Sequence, residues 1–469
     1  MTTFPFPQQR RRPTPHAIGF AALLVLALIV NQASANEIQA GPMLGHTALR
    51  GASIWVQGKE PGLVSMRYWR KGQPDLPFTI DAQLTAEKYR THTFELANLE
   101  PGTEYQYQIF FDGTQPENSP VYSFKTQPLW MWRTDPPQFS VLAGSCNFVV
   151  DTPYDRKGKP YGGDYEIFDA IARQDAEAMF WLGDNWYYRE VDFDSHQTMN
   201  YRAERNRMQP YLQPIYHKFA NYAIWDDHDF GPDNSGGYFP FKETALDLFK
   251  AYWANPSYGL PETPGVFTKV RINDVDFFLL DDRYHRDNEH YPDGPDKAMY
   301  GKAQMKWLKN QLAASRQPFK FIVGGNQMLN DYSRFEGWSQ YRHERDAFLK
   351  WLAENKIEGV FFLSGDRHHT ELLKIKRKNA YPLYELTCSP FTAGTHLDAI
   401  KRELKPILVP GSLVGEKNFC KLTFSGPRKD RDLTIEVFNK DGKRKFKTKI
   451  KQSTLTYSQY KNRQKKRHH

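Results

Sequence analysis

Six hydrophobic runs in this chain end abruptly in residues able to bind metal or carry charge. They are FSVLAGSC at Cys146, AMFWLGD at Asp184, NYAIWDDH at Asp226, Asp227 and His228, VDFFLLDDR at Asp281, Asp282 and Arg283, FKFIVGGNQ at Asn326 and Gln327, and GVFFLSGDRHH at Asp366, His368 and His369. Thiol, carboxylate and imidazole are the usual protein donors to transition metals and hard cations. One such ending says little. Six of them make a metal-dependent active site the leading reading.

Each ending carries its own chemistry. Asp184 directly follows a run with a phenol, Tyr187, three residues on. A carboxylate can bridge two cations, and phenolate is a hard ligand suited to ferric iron. The plainer reading has Asp184 capping a helix and Tyr187 in the core. Asp226-Asp227-His228-Asp229 is too acidic to end a buried strand without a cation, because its carboxylates would repel one another and lose hydration. Asp366 and His368 point the same way if the segment is extended, a D-x-H spacing suited to one metal, with His369 facing away as a structural residue. Arg283 and Arg286 can grip a phosphate or pair with Asp281 and Asp282; both readings stand. Asn326 offers a neutral oxygen to a metal or a donor to substrate.

The runs that must position these groups are rich in Phe, Val, Ile and Leu, as strands buried on both faces are. Ligands at the carboxyl ends of such strands converge on one edge of a sheet, where open α/β folds place their sites. From about residue 138 to 370 these strands alternate with amphipathic segments. DYEIFDAIARQD, KAQMKWLKNQLAAS and HERDAFLKWLAENK carry apolar residues at helical spacing. Beyond His369 the chain returns to strands (LLKIKR, LYELTC, FCKLTFSG, LTIEVFN) with a hairpin at Asp441-Gly442. Parallel pairing in the middle and antiparallel pairing at the end predict a two-sheet α/β sandwich with helices outside. Residues 36–127 show short alternating runs between turn signals, the rhythm of an antiparallel β-sandwich. TQPLWMWRTDPPQ supplies a linker over 128–137. The α/β domain is then expected over 138–452 and a basic tail over 453–469.

The bulk properties bound the rest. A chain of 469 residues with 40% hydrophobic and 15% aromatic content is globular and needs more than one folding unit. Its net charge is +9. Arg10, Arg11 and Arg12 carry part of it, and Lys461, Arg463, Lys465, Lys466 and Arg467 carry more, leaving the body close to neutral. No broad nucleic-acid-binding face is implied. The tail reads as a solvated end, weak attraction to an anionic membrane surface being the other reading. Arg10–Arg12, the apolar stretch Ala17–Val30 and Ala33-Ser34-Ala35 form a signal peptide over 1–35, cleaved on export through the general or the twin-arginine route. A periplasmic or secreted protein follows. In such a compartment Cys388 and Cys420 either form a disulfide or pack as small hydrophobes, and Cys146 is left as a ligand candidate.

The segment Leu99-Glu100-Pro101-Gly102-Thr103-Glu104-Tyr105-Gln106-Tyr107 resembles the tyrosine corner of fibronectin type III domains. The order Gly144-Ser145-Cys146, Gly183-Asp184-x-x-Tyr187, Trp225-Asp226-Asp227-His228-Asp229, Asp281-Asp282-Arg283 and Gly365-Asp366-Arg367-His368 resembles the metallophosphoesterases, and within them the alkaline phosphatase D (PhoD-like) family. The resemblance spans roughly residues 139 to 395. It implies an exported phosphoric ester hydrolase acting on mono- or diesters. Cys146, Asp184 and Tyr187 would hold Fe3+, and Asp227, Asp366 and His368 would complete a cluster with Ca2+, Asp184 bridging. A metal-bridging hydroxide would attack phosphorus in line, Arg283 would neutralise charge on the equatorial oxygens, and His228 would protonate the leaving group. Asn326 and Arg286 would contact substrate. The GPDN after DDHD departs from the family pattern and leaves Asn234 unassigned. A non-catalytic surface-binding protein on a degenerate phosphatase scaffold is the rival, and a zinc hydrolase is disfavoured by the few histidines at strand tips.

Overall fold

The computed structural model describes residues 37–112, 119–333, 335–396 and 406–458. The expected signal peptide over 1–35 and the basic residues after Ser458 lie outside the described residues. The N-terminal part is a seven-stranded sandwich. One sheet orders β1 (Ile38–Thr47), β2 (Ala52–Gly58) and β5 (Thr91–Leu96). The other orders β4 (Phe78–Leu84), β3 (Gly62–Arg70), β6 (Glu104–Phe111) and β7 (Tyr122–Lys125), and every pairing in both is antiparallel. At the predicted corner the Tyr105 hydroxyl accepts the backbone N–H of Glu100 at 2.9 Å, which fixes the turn into β6.

This sandwich is packed onto the rest of the chain. Trp55 is fully buried and its indole donates to the Ala251 carbonyl at 2.7 Å. His46 contacts the Tyr222 hydroxyl at 3.1 Å. The segment after it is pinned as well, with Arg428 donating its backbone N–H to Asp135 and its guanidinium to the Thr134 carbonyl.

The remainder is built on two six-stranded sheets. The first runs β10 (Ala220–Ile224), β9 (Ala178–Leu182), β8 (Phe139–Gly144), β17 (Asn418–Ser425), β18 (Asp432–Asn439) and β19 (Arg444–Lys451). Its β8, β9 and β10 are parallel, and β17 lies antiparallel to β8. The second runs β11 (Thr268–Ile272), β12 (Val275–Leu279), β13 (Phe319–Val323), β14 (Val360–Ser364), β16 (Ala380–Thr387) and β15 (Glu371–Arg377), with β12, β13, β14 and β16 parallel. The sheets meet through aromatic side chains: Phe180 stacks on Phe277 at 4.4 Å, and Phe424 packs edge-on against Phe321. The expected two-sheet α/β sandwich is therefore the observed architecture, and all six polar-tipped runs are parallel strands of one or the other sheet.

The three amphipathic segments form α1 (Ile167–Ala172), α6 (Gly301–Ala314) and α7 (Arg342–Glu354). Among the described residues four more α-helices occur: α2 (His196–Arg207), α3 (Gln213–Lys218), α4 (Asp227–Phe230) and α5 (Lys242–Tyr252). α2 hides from a periodicity reading because Arg202, Asn206 and Arg207 share its buried face with Met199 and Ala203. Its Arg202 pairs with Asp151 at 2.9 Å and Asp192 at 2.7 Å, and its Arg207 lies 3.6 Å from the Trp253 ring centre. Cys388 and Cys420 form a disulfide between the end of β16 and β17, while Cys146 is free and buried.

Candidate metal centre

The tips of β8, β9, β10 and β14 approach one another so closely that side chains are excluded at two points. A Cβ on Gly183, which has φ +90°, would lie 2.8 Å from the backbone nitrogen of Asp226. One on Gly365 would lie 2.4 Å from the Leu182 carbonyl oxygen. Each glycine thus lets the next residue, Asp184 or Asp366, enter the crowded sheet edge.

There Cys146 Sγ lies 3.4 Å from Asp184 Oδ2, and the Tyr187 hydroxyl donates to the same oxygen at 3.0 Å. His368 Nε2 is 3.4 Å from the Tyr187 hydroxyl. The opposite imidazole nitrogen, Nδ1, bonds the Gly394 carbonyl, so Nε2 keeps its lone pair toward the cluster. Donor atoms of Cys146, Asp184 and His368 all fall within 4.8 Å of one another, as do those of Asp184, Asp227 and His228. Asp184 therefore belongs to both groups, the position a bridging carboxylate must occupy. A third group joins Asp366 to Asp226 and Glu336.

Burial sets the electrostatics. It pushes the Cys146 thiol up to about 12, and with Cys146 and Asp227 nearby it raises the Asp184 carboxyl well above the usual range. Tyr187 and Asp366 are raised for the same first reason. His368 is held neutral, its pKa lowered by burial to about 3. Burial opposes ionisation of Asp227 too, but His228 and Arg283 beside it hold it at about 2. A multivalent cation is what would let the thiol, phenol and carboxylates ionise together, and the donor set of sulfur, oxygen and imidazole nitrogen fits one.

Three expected roles change once the partners are visible. Arg283 is fully buried and bonded to Asp226, to Glu336 at 2.9 and 3.0 Å, and to the Ser235 carbonyl at 3.1 Å. Arg286 donates to Asn326 Oδ1 at 2.8 Å and pairs with Glu336 at 2.8 Å. Asn326 donates its amide to both oxygens of Asp226. These residues form a buried lattice behind the donors; neither arginine nor Asn326 lines the cleft. The extended geometry expected for Asp366-x-His368 is also replaced. Both residues are left-handed, at φ +66° and +54°, and both side chains still reach the cleft.

Other residues take roles that the sequence did not assign. Asp229 accepts the backbone N–H groups of Asp184, Asn185 and Asp226 and so holds the strand tips together. Glu336 joins both buried arginines. Asn234, left unassigned above, donates its backbone N–H to Asp227 at 2.8 Å. Tyr161 contacts His368 Nδ1 and His396 Nε2, each at 3.0 Å. Glu336, Asn234 and Tyr161 sit on loops with no hydrophobic run to flag them. His369, buried, bonds the Arg367 carbonyl at 2.7 Å and faces Glu371 at 3.4 Å.

Above the donors lies a cleft of about 440 Å³ whose walls include Asp184, Asp227, His228, Asp366 and His368. A larger hollow of about 810 Å³ beside Trp130 and Trp132 shares none of these residues.

Two facing sheets thus gather these donors from the strand ends of both, a two-sheet α/β fold built around one candidate metal site. The solved structure of purple acid phosphatase PPD1 from yellow lupin (Lupinus luteus) seeds superposes with a TM-score of 0.62 at 13% identity, covering 89% of this chain and 74% of that one. A solved structure of PhoD superposes with a TM-score of 0.70 at 16% identity, covering 87% of this chain and 91% of that one. A family model described as PhoD-like phosphatase matches residues 145–409, and the chain belongs to that family. Residues 35–129 match a model described as a domain of unknown function. Alkaline phosphatase D of Bacillus subtilis (strain 168) is 24% identical over 330 residues, 57% of this chain and 54% of that protein. The match thus spans about half the length of that relative.

Proposed function

We propose that this chain is an exported, metal-dependent phosphoric ester hydrolase that acts on phosphomonoesters, phosphodiesters or both. The observation that carries the reading is Asp184 standing between a thiol–imidazole group and a carboxylate–imidazole group where the strands of the two sheets end. Cys146 and Tyr187 beside Asp184 suit ferric iron, and the oxygen-rich side formed with Asp227 and Asp366 suits calcium. When bound, these cations supply Lewis acidity toward phosphoryl oxygens and acidify water at neutral pH.

The chain's own residues do the remaining work. His368, fixed by the Gly394 carbonyl, presents one nitrogen in one orientation. His228 stacks on Tyr187 with ring centres 4.3 Å apart and stays partly open to the cleft, placing it to protonate a departing alkoxide. Arg283 and Asp226, which do not line the cleft, hold the acidic wall and Glu336 in place rather than touching substrate. The β-sandwich over 36–127 is a second unit fused to the hydrolase domain over 138–452. The Cys388–Cys420 disulfide favours an oxidising compartment, in keeping with export, and no described helix is long and apolar enough to cross a membrane.

Elemental analysis of protein purified folded, without chelators, tests the reading together with turnover of p-nitrophenyl phosphate and bis-p-nitrophenyl phosphate. Iron and calcium at near-integral stoichiometry with ester hydrolysis are expected. Zinc or manganese alone would overturn the roles given to Cys146 and Tyr187. No stoichiometric metal and no turnover would overturn the hydrolase.

A further inference from the structure

Two serine hydroxyls reach the Cys146 sulfur, and each has one proton to donate. Ser145 Oγ lies 3.2 Å from Sγ, but it also donates to the Cys388 carbonyl at 3.1 Å, which gives its proton another destination. Ser389 is placed differently. Its Oγ accepts the backbone N–H of His368 at 3.0 Å and donates to Cys146 Sγ at 3.1 Å. With its oxygen occupied by His368, the Ser389 proton points to the sulfur. One hydroxyl thus joins two candidate metal donors, Cys146 after β8 of the first sheet and His368 after β14 of the second.

The surroundings hold that hydroxyl in place. The Ser389 N–H donates to Thr370 Oγ1 at 3.2 Å, and its carbonyl accepts from Asn418 Nδ2 at 2.6 Å. The residue before it, Cys388, is crosslinked to Cys420 in β17. Ser389 and Cys146 are both fully buried, so the bond between them forms away from water and is the stronger for it. A thiolate gives electron density to the cation it holds. A hydrogen bond to the sulfur draws part of that density back, which is how such bonds set the potential of iron–thiolate centres.

We propose that Ser389 is a positioning residue that tunes the Cys146 sulfur. Its hydroxyl limits what the thiolate donates and so preserves the Lewis acidity of the ferric ion that Cys146 would hold, while the same oxygen fixes the backbone of His368. The inference rests on the ferric reading above and adds a residue behind the donors to it.

The test uses the full-length chain loaded with iron and calcium. Its readouts are the Fe–S stretch in resonance Raman scattering and the Fe3+/Fe2+ midpoint potential. Ser389→Ala is expected to raise the stretching frequency and shift the potential to more negative values, with the Tyr187 phenolate modes unmoved. Turnover of p-nitrophenyl phosphate should fall about 10- to 100-fold, the usual worth of a partner behind a metal ligand. Ser389→Thr keeps the hydroxyl and should restore the stretch and the potential. Ser145→Ala should leave both at their wild-type values. A fully iron-loaded Ser389→Ala with wild-type stretch and potential would overturn the assignment, as would a Ser145→Ala that moves them equally far. Should Ser389→Ala take up no iron, Ser389→Thr decides: iron uptake with wild-type values supports the role, and shifted values or no uptake overturn it. A wild-type chain without iron would remove the ferric reading itself. An iron-loaded wild type beside an unaffected Ser389→Ala would remove only the role of Ser389.

Discussion

Replacing Arg283 with methionine separates a structural arginine from a substrate-binding one. Methionine keeps much of the stem and removes the charge. The change strands Asp226 and Glu336, 0% and 7% exposed, with Asp227 and Asp282 each 3.9 Å from the lost guanidinium. Removing one partner of a buried ion pair costs about 3–5 kcal/mol, because the other charge stays buried and uncompensated. Arg286 still pairs with Glu336 and Asn326 still donates to Asp226, which puts this case near the lower end. At an unfolding entropy of about 2.1 cal/mol/K per residue, a chain of this length then melts about 3 °C lower. Scanning calorimetry of the metal-loaded protein measures the shift. In a double-mutant cycle with Glu336→Gln, the two losses should be less than additive by at least about 1 kcal/mol. An Arg283→Met protein that melts like wild type yet binds phosphate weakly would refute the reasoning and return Arg283 to the substrate.

Two further perturbations probe the donors and the sandwich. Burial and the nearby Cys146 and Asp227 oppose ionisation of Asp184. In chelator, Asp184→Asn should therefore melt at or above wild type, while with metal the order reverses; equal losses in both conditions would show a purely structural residue. His46 is held by burial at about 4, below its ordinary 6.5. The unfolded chain then binds the extra proton, so this contribution is complete above 6.5 and is lost as pH falls toward 4. Melting at pH 7 and pH 4.5 should show a shallower decline for His46→Gln than for wild type, and parallel declines would refute it.

The buried strands were legible because their composition leaves few alternatives: six apolar runs with polar tips became six parallel strands. The tyrosine corner was equally readable, since Leu99 to Tyr107 contains both the turn and the hydroxyl that closes it. What the sequence withheld is relational. Nothing in the local pattern around Arg283 says that Glu336, in a loop after β13, will reach it, so its substrate and ion-pair readings could not be separated. α2 was missed because buried arginines break up the apolar stripe, leaving only Met199 and Ala203 for periodicity to detect. The extended reading of Asp366-x-His368 failed because both residues are left-handed.

That last failure bears on why the motif letters are what they are. Cys146, Asp184, Asp366 and His368 adopt φ values of +62°, +53°, +66° and +54°. Left-handed backbone costs a non-glycine residue about 1–3 kcal/mol, and four such residues at the meeting strand ends of the two sheets are a concentration of strain. Glycine would relieve it but brings no donor. Aspartate is among the side chains that tolerate this conformation best, so a short carboxylate is favoured there over glutamate on backbone grounds as well as for reach. Gly183 extends the same logic one residue earlier. Its missing side chain admits the tip of β10, and the chain must then turn left-handed to aim Asp184 back at Cys146 and Tyr187. The Gly-Asp pair is thus a backbone device and a ligand at once. The strain it holds is offset most directly by bonds from these donors to a cation, which ties the stability of this sheet edge to metal binding.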